Sequence, residues 1–296
     1  DACRNEGLTT LGIEPAANIA AIARGKGLEV VNEFFGPATS AQIRAQYGPA
    51  RVISTTNTFN HIDDLHAFME GVVTLLDSEG TFIIEVPQAL TCVEQNEFDT
   101  IYHEHLSVFS LASLVALGGF FGMEVVDVAP LPIHGGSMRV YLERRRDGVP
   151  SNGIAEEWVD REHQAGLFKH QAYDALAGRV RRIRDELLAL LRNLKGGGKR
   201  LAGYGAPAKG NTLLNYYGIG PELLEFLADR NPLKQNKYSP GMHILVVSPE
   251  EIARRRPDYL LILAWNFAEE IMEQQARFRA DGGRFILPIP EPRIVE

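Results

Sequence analysis

The chain has 296 residues, 45% hydrophobic and 23% charged, with a net charge of −8. That is room for two globular domains, and the acidic balance argues against a nucleic-acid surface or an anionic-membrane surface. Only Cys3 and Cys92 are present, with no CxxC pair, so neither a disulfide framework nor a thiolate zinc site is encoded, as suits a reducing cytoplasm. Apolar runs such as YLLILAW at 259–265 are far shorter than the roughly 20 residues a spanning helix needs. The expected partners are small molecules, with no nucleic acid and no membrane.

From residue 8 onward, LTTLGIEP (8–15), LEVVNEFFG (28–36), ARVISTT (50–56) and GTFIIEVPQ (80–88) predict strands. AANIAAIARGKG, TSAQIRAQYG and DDLHAFMEGVVTLLDSEG lie between them, with apolar residues at helical spacing and a Gly near each end. This alternation predicts an α/β fold with a parallel sheet. MEVVDVAPLPI (123–133) and SMRVYLERR (137–145) are separated by HGG alone, too short for a helical crossover, so these two strands should pair antiparallel. Residues 151–195 predict one long amphipathic helix that GGGK at 196–199 ends. A second strand–helix–strand unit follows from KRLAGYG to RFILPIP. The expected domains are 1–150, a linking helix at 151–198, and a second doubly wound unit at 199–296. DACRNEGLTTLGIEP reads as the tail of a first helix followed by a second strand. A doubly wound sheet without its first strand would leave two buried strands short of a partner, so the chain is expected to be N-terminally incomplete.

Glu14 ends the strand in LGIEPAAN, where a carboxylate can accept from ribose hydroxyls or can simply be an exposed strand-end acid. Asn57 to His61 follow the strand at 50–56, where ligand-facing residues gather in open sheets, although His61 could equally cap the helix starting near Asp63 and Asp64. The densest cluster is YHEH at 102–105. HEH in a loop matches no helical pair of metal ligands, and no third ligand is apparent, so no metal is expected. An imidazole base, a carboxylate and a phenol suit proton abstraction with stabilisation of an oxyanion; the alternative is a polar surface loop ahead of SLASLVALGGFF. In GYGAPAKGNT (203–212), Gly203 and Gly205 permit close backbone approach, the next helix N-terminus favours phosphate, and Lys209 adds a charge. This spacing matches neither GxGxxG nor a P-loop. Lys234, Tyr238 and His243 could form an opposite wall or be structural loop residues. HGGSMR (134–139) is either a hairpin turn or brings His134 or Arg139 to a ligand.

In this order, GIEPAAN, NTFNHIDDL, EVPQ, YHEHLSVFSL, HGGSMRVYL and GYGAPAKGNTLLNYYGI closely resemble the nucleotide-sugar C-methyltransferases of deoxysugar pathways. The likeness covers essentially the whole chain but lacks that family's N-terminal zinc-binding domain and glycine-rich cofactor loop. It implies a Rossmann-like methyltransferase domain, a parallel sheet with a terminal antiparallel hairpin, joined by a long helix to an α/β domain holding the nucleotide-sugar. It also implies S-adenosylmethionine as cofactor, zinc only in a domain outside this chain, and a 4-keto-deoxysugar nucleotide, expected to be a thymidine diphosphate sugar, as substrate. By position in the motifs, His105 would be the base, Glu104 its support and Tyr102 the neighbour of the keto oxygen, with His61 a second imidazole. Glu14, Asn57 and Phe59 would face the cofactor. Gly203, Tyr204, Gly205, Lys209, Asn211, Arg139, Lys234 and His243 would face the nucleotide-sugar. Two other classes remain at this level: an NAD(P)-dependent oxidoreductase built on the C-terminal unit, and a non-catalytic nucleotide-sugar-binding protein.

Overall fold

The computed structural model describes residues 2–146, 148 and 150–295, apart from the side chains of Ala2 and His134. The first part of the chain runs α1 (Ala2–Asn5), β1 (Gly12–Ile13), α2 (Ala17–Gly25), β2 (Val30–Val31), α3 (Pro37–Tyr47), β3 (Ala50–Thr56), α4 (Leu65–Leu75), β4 (Leu76–Pro87), α5 (Ala89–Glu94), α6 (Leu111–Phe120), β5 (Met123–Leu131) and β6 (Ser137–Arg144). Then come α7 (Ile154–Gln164), α8 (His170–Gly196), β7 (Leu201–Tyr204), α9 (Ala208–Tyr217), β8 (Leu227–Ala228), β9 (Val246–Val247), α10 (Glu250–Arg255), β10 (Tyr259–Ile262), α11 (Ala268–Gln274), α12 (Ala276–Ala280), β11 (Arg284–Leu287) and β12 (Arg293–Val295). Two compact units interleave along this order. Residues 1–86, 112–129 and 139–156 form one, and 87–111, 130–138 and 157–296 form the other. The contiguous division expected from sequence differs, because the segment after β4 packs with the C-terminal unit.

In the first unit a four-stranded sheet has the order β3-β4-β6-β5, with β3 parallel to β4. Only five residues join β5 to β6, which allows antiparallel pairing alone. β1 and β2 form a separate parallel pair, and β1 and β3 each keep one edge without a strand partner among the described residues. Strands expected at 8–15 and 28–36 shrink accordingly to two residues each, since a two-stranded pair with no third strand to extend it holds little of its length. The core here is aromatic: Phe59 is fully buried, edge-on to Phe68 at 5.5 Å and to Phe82 at 6.1 Å.

The second unit carries a six-stranded sheet in the order β12-β11-β10-β7-β8-β9, parallel except for β12. β7 and β10 are buried at every position, as expected of central strands covered on both faces. Leu187, Leu191, Leu213 and Leu214 pack one face, and Phe226, Ile271, Phe278 and Phe285 the other. The single helix expected over 151–195 is two. α7 stops where Ala165 and Leu167 donate back to Arg161 and Glu162, with Gly166 in the left-handed region (φ 74°) and Leu167 turned into the core. Among the described residues no helix is long and apolar enough to cross a membrane.

Arg139, expected to meet the substrate, instead belongs to the first unit. Its Nη2 and Nε donate to Glu85 Oε2 at 2.8 and 3.1 Å, and Glu85 is 3% exposed. Hydrogen bonding to Glu85 raises the Arg139 pKa. Replacing Arg139 by Met strands a buried carboxylate and should cost about 2 kcal/mol in urea unfolding, a figure discounted for the half-exposed guanidinium. Glu85→Leu combined with Arg139→Leu should recover most of that loss; equal destabilisation of single and double variants would show that the pair is not what fixes β4 to β6.

Candidate active site in the C-terminal unit

The chain leaves β7 toward one edge of the second sheet through β8 and β9, and returns to the other side through β10 and β11. The reversal falls between β7 and β10, and ligands of open α/β sheets bind in the crevice beyond the carboxyl ends of the strands flanking such a point. The two loops that leave this crevice touch: Leu263 N donates to Tyr204 O at 2.9 Å, and a Cβ built on Gly205 would lie 3.2 Å from Ala264 Cβ. They bring Lys209, at the start of α9, over the ring of Trp265, with Nζ 4.0 Å from the ring centroid.

Residues 97–100 close over this pair. Trp265 Nε1 donates to Asp99 Oδ2 at 2.8 Å, and Phe98 stacks on Tyr217 of α9 at 5.1 Å. Asp99 is 0% and Glu97 1% exposed, yet Asp99 Oδ1 and Glu97 Oε1 have no hydrogen-bond partner. Burial pushes the Glu97 carboxyl up to about 7 and that of Asp99 up to about 6, against the opposing pull of Lys209. Lys209 is itself lowered by burial and held up by these two acids. The HGG sequence is more than a turn. Gly135, at φ 94°, lies so close to Glu97 and Trp265 that a Cβ would fall 2.1 Å from Glu97 Oε1. The side chain of His134, the neighbouring candidate, lies outside the described residues.

Tyr102 to His105 form a turn on the same unit, closed by His105 N donating to Tyr102 O at 2.9 Å. The two rings lie 4.2 Å apart. His105 Nδ1 sits 2.7 Å from the Thr100 carbonyl. A carbonyl can only accept, so Nδ1 carries the proton and Nε2 is the basic nitrogen of the neutral ring. The tautomer is therefore set by Thr100, whereas Glu104, expected as the partner, is exposed. Burial raises the Tyr102 pKa, so its phenol stays a donor. His103 is exposed.

The other expected residues of this unit are placed as follows. A Cβ on Gly203 would strike Leu227 at 2.5 Å, so its missing side chain makes room for the core and leaves no approach for a phosphate. Tyr204 is buried, its hydroxyl 3.4 Å from Gln275 Nε2, on the wall of a 320 Å³ hollow between α10 and α11. Asn211 Nδ2 lies 3.3 Å from the Pro207 carbonyl, and its Oδ1 is buried without a partner. Lys234 Nζ donates to Ala206 O at 2.9 Å, which ties down the loop after β7. His243 is exposed, a turn residue at φ 55°. Asp229, at the end of β8 where a dinucleotide fold places its ribose acceptor, accepts from Ala206 N at 2.7 Å and Asn231 N at 2.8 Å. A cleft of 830 Å³ runs past Trp265, Asn266, Phe267, Pro290, Arg293 and Ile294. Glu97, Asp99 and Trp265 were not singled out from sequence. NEFD immediately before YHEH, and LAWNF after the strand that flanks the reversal, are the signals that could have found them.

In the first unit, Glu14 Oε1 accepts from Ala16 N at 2.8 Å. Asn57 takes φ 50° after β3, and its buried Oδ1 has no partner. Two acceptors at strand C-termini suit a ligand with hydroxyl and amino donors. Phe59, expected to line the adenosine side, is fully buried and offers no surface to a ligand. His61 is exposed and does not cap α4, whose first turn is capped by Asp64, accepting from Ala67 N at 2.9 Å. Among the described residues no cluster of His, Cys, Asp and Glu could hold a metal.

Residues 1–128 match the model of a methyltransferase domain, and residues 132–290 match that of the C-methyltransferase C-terminal domain. The chain thus pairs a methyltransferase domain with a dedicated α/β partner. It is 39% identical over 292 residues to C-methyltransferase NovU of Streptomyces niveus, covering 99% of this chain and 70% of that protein. The chain belongs to the C-methyltransferase family. Among solved structures, a SAM-dependent methyltransferase of Anabaena variabilis aligns at 15% identity and TM-score 0.36, over 46% of this chain and 68% of its own. The O-methyltransferase NcsB1 of neocarzinostatin biosynthesis aligns at 18% and 0.35, over 47% and 43%. Neither likeness is high enough to carry an argument.

The raised carboxyls have a consequence for stability. A folded state that keeps Glu97 and Asp99 protonated binds protons that the unfolded chain has released above about pH 4. Their contribution is fully present below that pH and is lost as pH rises through about 6 and about 7. Glu97→Gln keeps the shape and removes the titration. Melting temperatures should show the variant gaining on wild type from pH 5 to pH 8, and parallel curves would refute the assignment.

Proposed function

We propose that the protein transfers a methyl group to the carbon beside the keto group of a 4-keto-deoxysugar nucleotide, such as a thymidine diphosphate sugar, through an enolate, in deoxysugar biosynthesis. The observation that carries this reading is His105, fixed by the Thr100 carbonyl with Nε2 basic and the Tyr102 ring 4.2 Å away. Carbon methylation beside a ketone needs a base, an oxyanion donor and alignment, and no other acid–base group.

Nε2 of His105 takes the proton from the carbon. The electron pair moves into an enolate whose oxygen accepts from the Tyr102 hydroxyl, kept protonated by its raised pKa. Glu104 acts on the imidazolium by its charge. S-adenosylmethionine, when bound, would supply the electrophilic sulfonium methyl; the Glu14 carboxylate and Asn57 Oδ1 are the acceptors that would hold it. His61 is a second imidazole for the enolate. The ketone reforms as the new carbon–carbon bond is made, and His105 returns its proton to solvent. Methyl-donor binding falls to residues 1–150 and the sugar nucleotide to residues 199–296, joined by 151–198. The 830 Å³ cleft beside Trp265 has room for the nucleoside end.

His105→Asn should reduce methyl transfer from labelled S-adenosylmethionine by roughly 1,000-fold while thymidine diphosphate still binds. Without the methyl donor, wild type should exchange the sugar carbon's proton for solvent deuterium and the variant should not. A near-normal rate in the variant would move the base to His61, and label on oxygen would end the proposal.

A further inference from the structure

Building on that reading, we propose that Lys209 acts as the counter-charge of a buried carboxyl cluster that positions His105, and is not a phosphate ligand. Its Nζ lies over the Trp265 ring at 4.0 Å, and Trp265 Nε1 donates to Asp99 at 2.8 Å. The residue after Asp99 supplies the carbonyl that holds His105 Nδ1 at 2.7 Å. Thr100 N donates in turn to Glu97 O at 3.1 Å, so both acids sit on the single turn that carries the carbonyl.

A lysine serving phosphate must offer its ammonium to solvent-borne ligand. Lys209 is half-buried, with its ammonium set over the Trp265 ring beside two acids that are 0% and 1% exposed and each hold an oxygen without a hydrogen-bond partner. Every charged or titratable neighbour points the same way. Cys92 of α5 sits 3.8 Å from Glu97 Oε2, and Tyr217 of α9 stacks on Phe98. Arg184 of α8 acts on Tyr217 and is not among the groups that shift either acid. Lys209 is the cation that keeps the two acids from repelling each other or drawing in water. Gly135, with no Cβ, lets Glu97 pack there at all. Loss of the cation should loosen the 97–100 turn and with it the Thr100 carbonyl, so the base is misaligned while the nucleotide contacts stand.

Two variants of the protein, Lys209→Met and Trp265→Phe, test this. Each should lower kcat by about 100-fold, the scale of a small displacement of a reacting group, and in Lys209→Met the KM and the calorimetric Kd for thymidine diphosphate should be unchanged. In protein with ¹⁵N-labelled imidazoles, the His105 resonance, assigned through His105→Asn, should change from Nδ1-protonated to a mixture of tautomers in both variants. This readout needs no substrate, so it stands or falls separately from the sugar reading. Trp265→Phe removes no charge, so it tests the relay even where Lys209→Met fails to fold. A Kd at least about tenfold weaker in Lys209→Met with an unchanged tautomer would make Lys209 a phosphate ligand. Unchanged tautomer and unchanged kcat in Trp265→Phe would dismiss the relay.

Discussion

The hydrogen bond from Trp265 Nε1 to the buried Asp99 is the contact on which the C-terminal unit's site depends. It joins a loop at the end of a central strand to a segment more than 160 residues earlier in sequence, in surroundings where an unpaired carboxylate is costly. Ordering such a long closure is entropically expensive, and a polar contact in low dielectric is strong enough to fix its register. Once Asp99 is placed, Thr100 is placed, and through its carbonyl the tautomer and direction of His105 follow. The position of His105 is thus set from the sheet outward rather than by the exposed residues around it.

This explains why residues 87–111 group with the C-terminal unit although they directly follow a strand of the first. β4 ends at Pro87, which cannot extend the ladder as a donor, and Gln88 N then donates to Gly136 O while Ala89 N donates to Phe109 O. Asn96 is anchored at 2.6 Å by Arg179 Nε of α8, whose Nη2 reaches the Val93 carbonyl at the same distance. The segment is held at both ends by the second unit, so residues 97–105 and α9 share one framework.

Much of the architecture was legible in sequence because hydrophobic period and loop length report it directly. β7 and β10 read as continuous apolar runs, the HGG connection forced an antiparallel pair, and Gly166 of AGLF was the one overlooked helix stop. The YHEH cluster was legible because its members are adjacent in sequence. The rest was not, because its partners are remote. That Gly203 makes room for Leu227, that Arg139 is taken by Glu85, and that Lys209 faces Trp265 are facts of tertiary packing, with no local period to announce them. A glycine after a strand reads the same whether a phosphate or a leucine fills the space beside it.

Buried polar atoms without partners carry the last step. Asn57 and Asn60 follow β3, Glu97 and Asp99 lie over the reversal in the second sheet, and Asn211 and Asn266 lie in the elements that follow β7 and β10. Each such atom costs the folded state roughly 1–3 kcal/mol if nothing answers it. Such defects scattered at random would only weaken the fold. Apart from those of Ser40 in α3, Thr55 in β3 and Tyr217 in α9, the unpartnered atoms among the described residues gather where open α/β sheets take their ligands. A site that leaves acceptors unanswered when empty regains that energy on binding, and it regains most from a ligand whose donors match. Preorganisation of this kind favours alignment over additional acid–base groups, and alignment is the larger need of the proposed reaction, where one proton would leave a carbon and one methyl group would arrive.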